Sequence, residues 1–150
     1  MTTPTSREDA LTRTLADEYA AIYGYGLIAS ALVGPPRRRA QGAIDTHRVR
    51  RDQLRGLIGS LGRVPPNPAP AYDPPYPIDS PRRAAALAAA IESGLSGSYS
   101  QLAAQSVGPD RRAAALAAQE AAVRAAAWSL STQAFPGTTT AIAGTSPPAG

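Results

Sequence analysis

Apolar side chains recur along this chain at alternating intervals of four and three, the spacing that lines one side of an α-helix. Leu11, Leu15, Glu18, Ile22, Tyr25, Ala29 and Leu32 form one such seam, and it contains a carboxylate. Ala40, Ile44, His47, Arg51, Leu54, Ile58 and Leu61 form a second, which carries the single histidine and an arginine one turn later. In a third, Leu87, Ile91, Leu95, Tyr99 and Leu102 make the apolar stripe with Glu92 at its edge. Leu116, Glu120, Val123, Ala127 and Leu130, flanked by Trp128, give a fourth. The pattern predicts helices over about 7–33, 36–61, 81–106 and 110–133.

The helix ends carry matching signals. Ser6 and Ser80 suit N-cap positions, where a hydroxyl accepts from a free backbone N–H, and Pro81 suits the first helical position. Gly34 and Gly108 stand where a left-handed residue would end a helix, each is followed by proline, and Asp110 is expected to cap the fourth helix. Val33-Gly34-Pro35-Pro36-Arg37-Arg38 returns 74 positions later as Val107-Gly108-Pro109-Asp110-Arg111-Arg112. The same shift lays Ser6 on Ser80, Glu18 on Glu92, Tyr25 on Tyr99, Val49 on Val123 and Arg50 on Arg124. The chain is therefore one helical hairpin used twice.

Residues 63–79 include seven prolines together with Tyr72 and Tyr76. Polyproline-like chain rises about 3.1 Å per residue, so this linker reaches roughly 50 Å, against about 37 Å for a 25-residue helix. It can return to the far end of a bundle and start the third helix parallel to the second. One domain over 1–137 and a disordered tail over 138–150 follow, with Phe135 covering the open end of the core.

Charge and composition exclude several classes of function. All 15 basic residues are arginine, against 11 acidic residues, for a net charge of +4. Arg37, Arg38, Arg39, Arg48 and Arg55 make a candidate anion patch, and Arg-mediated nucleic-acid binding is a third reading beside the two below, against which stands the lack of any recognition motif. The absence of cysteine rules out disulfides and thiolate-bound metal and suits a reducing compartment. Without a signal-like or membrane-spanning apolar run, a soluble cytoplasmic protein is the expectation. The glycines at 24, 26, 94 and 97 fall within helices and suit close helix approach, including approach to a second subunit, so a homodimer is expected.

Each helix thus places an ionisable group on or beside its buried stripe: Glu18, His47 with Arg51, Glu92 and Glu120. Such groups are rarely buried unless paired or metal-bound, so a shared polar layer is expected. Two hairpins with a long connection, a Glu on the first and third helices and a His on the second resemble the ferritin-like superfamily of carboxylate-bridged di-iron proteins. Glu18-Tyr19 to Tyr25, His47-Arg48-x-Arg50-Arg51-Asp52, the proline-tyrosine linker and Phe135-Pro136-Gly137 resemble more closely an uncharacterised ferritin-like family of high-GC Gram-positive bacteria. The resemblance implies an all-α, ferritin-like four-helix bundle of two hairpins joined by a proline-rich crossover. It also implies a metal pattern with a Glu from each of two helices and a Glu-x-x-His from each of the others.

Only part of that pattern is present. Ile44 stands three residues before His47, Ala118 and Ala121 occupy the repeat-related positions in helix four, and Glu120 is one residue out of register. Two readings follow. In the first, a non-catalytic binding or structural module holds a degenerate centre in which Arg51, with Tyr25 and Tyr99, satisfies the carboxylates and no cofactor is needed. In the alternative, Glu18, His47, Glu92 and Glu120 hold iron or manganese in a metal-dependent oxidoreductase or metal-binding protein.

Overall fold

The computed structural model describes residues 6–133; Phe135 and the tail after 137 lie outside the described residues. Four helices and no strand are found among them: α1 (Arg7–Ser30), α2 (Gly34–Ser60), α3 (Pro81–Ala104) and α4 (Gly108–Gln133). None is long and apolar enough to cross a membrane.

Local chemistry accounts for the ends. The Ser6 hydroxyl accepts from the Asp9 N–H at 3.0 Å while the Ser6 N–H donates to the Asp9 carboxylate at 3.2 Å, a reciprocal cap. Ser80 accepts from the Arg83 N–H at 3.2 Å ahead of Pro81. Gly34 and Gly108 adopt φ of 61° and 57°, a left-handed geometry that any Cβ would strain. They open α2 and α4 rather than closing the helices before them. Accordingly, α1 stops at Ser30 and α3 at Ala104, short of the expected 33 and 106. Asp110 lies inside the first turn of α4 and pairs with Arg7 at 2.6 Å instead of capping the helix.

Two apolar clusters make the interior. One joins Leu11 and Leu15 of α1, Leu54 and Ile58 of α2, Leu95 and Leu102 of α3, and Ala114 and Ala117 of α4. The other joins Tyr25, Ile28 and Leu32, Ala40 and Ala43, Ala84 to Ala88, and Trp128. The first cluster thus holds the start of α1 with the end of α2, and the end of α3 with the start of α4. It follows that α3 runs antiparallel to α1 and in the same direction as α2. The connection over 61–80 passes from one cluster to the other: Tyr19 donates to the Pro66 carbonyl at 2.9 Å, Tyr72 packs on the first cluster, and Tyr76 and Ile78 pack on the second.

The fourth helix turns differently from its expected seam. Leu116, Val123 and Leu130 face solvent, whereas Ala114, Ala117, Ala118, Ala121 and Trp128 are buried. Alanine lets the axes of α3 and α4 approach closely, and a leucine ladder between them would hold the helices apart. Of the four glycines expected to allow close approach, Gly24 does so, since a Cβ there would lie 2.6 Å from Ile91 Cδ1; Gly26, Gly94 and Gly97 face open space.

Candidate functional site

Between the two apolar clusters lies a polar layer. Glu18, His47 and Glu92 are each fully buried, contributed by α1, α2 and α3. The imidazole bridges the two carboxylates: Nδ1 lies 2.8 Å from Glu18 Oε2, and Nε2 lies 3.1 Å from Glu92 Oε1. The repeated tyrosines then cross over. Tyr25 of the first hairpin donates to Glu92 Oε1 at 2.7 Å, and Tyr99 of the second donates to Glu18 Oε1 at 2.6 Å. That exchange is what an antiparallel α1–α3 pair produces when each helix carries Glu and, seven residues on, Tyr. The Tyr25 ring also stacks on His47, with centroids 5.3 Å apart.

The cation that joins the layer is Arg124 of α4, whose Nε donates to Glu92 Oε1 at 2.9 Å. Arg51 lies outside it. Its guanidinium is part-exposed and pairs with Asp52 at 2.8 Å, because one turn beyond His47 the helix faces the apolar cluster and the long side chain reaches out to water. Glu120 is likewise apart from the layer, paired with Arg50 at 2.5 Å on the flank between α4 and α2. The two repeat-related arginines therefore take different partners, Arg124 joining the layer through Glu92 and Arg50 pairing with Glu120 on the flank. Their identity across the repeat was the signal for Arg124.

Two carboxylates, one imidazolium and one guanidinium balance in charge, and this balance sets the protonation. Burial pulls the His47 pKa down, but hydrogen bonds to Glu18 and Glu92 and their charges outweigh it and raise it to about 9. Burial likewise opposes ionisation of Glu92, yet hydrogen bonds from His47, Arg124 and Tyr25 hold its carboxyl below the usual range. For Tyr25 and Tyr99, burial comes first and the adjacent carboxylates second, and both push the phenols far up, so each remains a donor.

This donor set does not fit a metal ion. Both His47 ring nitrogens are already held by carboxylates, and Glu18 has both oxygens engaged. Of the layer's carboxylate oxygens, Glu92 Oε2 is buried without a hydrogen-bond partner among the described residues. Among the described residues, no three or more His, Cys, Asp or Glu side chains are arranged to hold a metal. Clefts of about 180 and 170 Å³ on the α1–α3 face are lined by Tyr23, Gly24, Tyr72 and Ile91, and by Asp17, Ala20 and Gly94, without Glu18, His47 or Glu92.

The remaining candidates form a partly neutralised surface. Arg48 pairs with Asp45 at 3.2 Å, Arg55 donates to the Tyr19 hydroxyl, and the Arg39 guanidinium lies 3.8 Å over the Trp128 ring. Arg37 and Arg38 are exposed at the start of α2.

A family profile described as "Domain of unknown function (DUF4439)" matches residues 10–140. The crystal structure of a conserved hypothetical protein from Mycobacterium tuberculosis superposes with a TM-score of 0.80 at 28% identity, covering 87% of this chain and 99% of that one. No curated protein matches the sequence.

Proposed function

The chain belongs to the DUF4439 domain family, and we propose that it is a non-catalytic, ferritin-like four-helix module whose centre is an ion-pair network standing where a metal site would be. Support for the ferritin-like part lies in the arrangement. A Glu from α1 and a Glu from α3 meet a His from α2, and the connection over 61–80 spans from one apolar cluster to the other. The observation that carries the non-catalytic part is His47 itself, with both nitrogens spent on carboxylates at 2.8 and 3.1 Å. A ring so held neither accepts a proton nor binds a metal, and its full burial keeps substrates away.

The layer acts on the fold. A buried ion pair returns little net stability after desolvation, but a charge left without its partner is costly, so the set excludes every helix register that separates its members. Glu18, His47 and Glu92 match only when α1, α2 and α3 are aligned as they are. On this reading the protein works through its surface, as a binding or structural module.

Glu92 Oε2 is the one atom that favours the metal-dependent alternative, since a buried carboxylate oxygen without a partner is what a ligand would use. Elemental analysis of protein from cells supplied with iron or manganese separates the two. Far less than one metal per chain is expected. Stoichiometric metal that disappears in Glu18→Ala and His47→Ala variants would overturn the proposal. The arginine patch offers nucleic acid little, because Arg48 and Arg55 are already engaged by Asp45 and Tyr19.

A further inference from the structure

Helix α4 carries two ladders of seven-residue spacing. Ala114, Ala121 and Trp128 face the core, and two positions on, about 200° round the helix, Leu116, Val123 and Leu130 face water. The outer three are 52%, 68% and 65% exposed. A helix apolar on both sides belongs in a place covered on both sides, and the protein covers one.

Charge distribution says what kind of partner fits. Between residues 113 and 133 the only charged side chains are Glu120 and Arg124; Glu120, one turn from both Leu116 and Val123 and 41% exposed, is neutralised by Arg50, and Arg124 pairs with Glu92. Beside it, α3 has Glu92 as its only charge between 84 and 104, and that one is buried. By contrast, α2 carries Arg37, Arg38, Arg39, Asp45, Arg48, Arg50, Arg51, Asp52 and Arg55. Two copies of a protein with net charge +4 repel wherever their arginines meet. The second hairpin is the surface on which they can meet without that cost, and charge depletion marks the centre of interfaces.

We propose that the outer ladder of α4 is the interface between two copies of this chain, paired antiparallel about a two-fold axis near Val123. A ladder of like residues evenly placed about its middle is complementary to itself when turned end for end, as such symmetry requires. Seven-residue spacing keeps the contact in line along both helices. Residues 116–130 span about 21 Å, and with the neighbouring face of α3 the patch is about 20 Å wide, on the order of 400 Å² per copy. Specific, stable interfaces begin at about 600 Å² per partner, so this smaller contact makes a reversible dimer of weak affinity.

Sedimentation velocity from about 1 to 200 μM, a range set by that affinity, tests this on the full chain. A monomer–dimer equilibrium is expected, and Val123→Glu, at a solvent-facing position, should be monomeric throughout with unchanged helical circular dichroism. The chain has no cysteine, so single substitutions report contacts directly. Under mild oxidation Val123→Cys should give a disulfide dimer. Val49→Cys, at the repeat-related and 57% exposed position of α2, should not. A wild-type protein monomeric at every concentration, a dimer that survives Val123→Glu, or equal cross-linking from position 49 would overturn the proposal.

Discussion

Replacing His47 with leucine is expected to cost about 3–5 kcal/mol at pH 7, the range for a buried ion pair that loses one member. The side chain is fully buried and, among the described residues, no other cation pairs with Glu18: Glu92 would keep Arg124 and Tyr25, but Glu18 would keep Tyr99. For a domain of this size the loss corresponds to a fall in Tm of about 10 °C. A second substitution, Glu18→Gln, removes the stranded charge while still accepting from Tyr99, so the double variant should be more stable than His47→Leu alone.

The same residue gives the wild type a defined pH dependence. Raising the imidazole from 6.5 to about 9 contributes on the order of 3 kcal/mol. Because the folded state binds this proton more tightly than the unfolded state, the contribution is complete below about pH 6.5, declines as pH rises and is absent above about pH 9. Glu92, held below its ordinary value of 4.5, acts in the other direction and loses its contribution as the solution is acidified. Stability should therefore peak near pH 5 to 6.5, by urea denaturation at a series of pH values. In His47→Leu the alkaline decline should vanish. A cost below about 1 kcal/mol, or an unchanged alkaline decline, would contradict the pairing.

Truncating Trp128 to alanine is expected to be as damaging, at about 3–5 kcal/mol, for a different reason. Trp128 is the largest fully buried side chain and the main bulk that α4 adds to the second cluster, whose other members there and on α3 are mostly alanine. Removing it leaves a void that alanines cannot collapse to fill. The indole also packs against the Tyr25 ring, with centroids 6.3 Å apart, and Tyr25 donates to Glu92, so the loss reaches the polar layer. Trp128→Phe keeps most of the ring and should cost about 1–2 kcal/mol. Both are read by circular dichroism, because Trp128 is the only tryptophan. Near-equal losses for the two variants would show that volume is not what Trp128 supplies.

The first three seams were legible because large apolar residues contrast with polar neighbours. Leu11, Leu15, Tyr25, Leu54, Ile58, Leu87, Leu95, Tyr99 and Leu102 are all buried. In α4 that contrast fails. Ten of its 26 residues are alanine and they fall on every side, so periodicity cannot tell which side faces inward, and the bulkier ladder of Leu116, Val123 and Leu130 points outward. Glu18, His47 and Glu92 could be placed together because each interrupts an apolar stripe. Their cation could not be read the same way. Arg51 is close to His47 along the chain, but what decides is distance across helices, and Arg124 reaches Glu92 from a helix whose inward face was hidden. The repeat held the clue, since Arg124 matches Arg50, Tyr99 matches Tyr25 and Glu92 matches Glu18. Ala121, standing where His47 would recur, is why a single imidazole serves both halves.

His47 stays charged inside the protein, and as the single histidine of the chain it can be observed directly. Nitrogen NMR of ring-labelled protein should show both Nδ1 and Nε2 protonated at pH 7, titrating in one step near pH 9. A neutral ring at pH 7 with one bare nitrogen, titrating at or below 6.5, would contradict it and return the centre to metal chemistry.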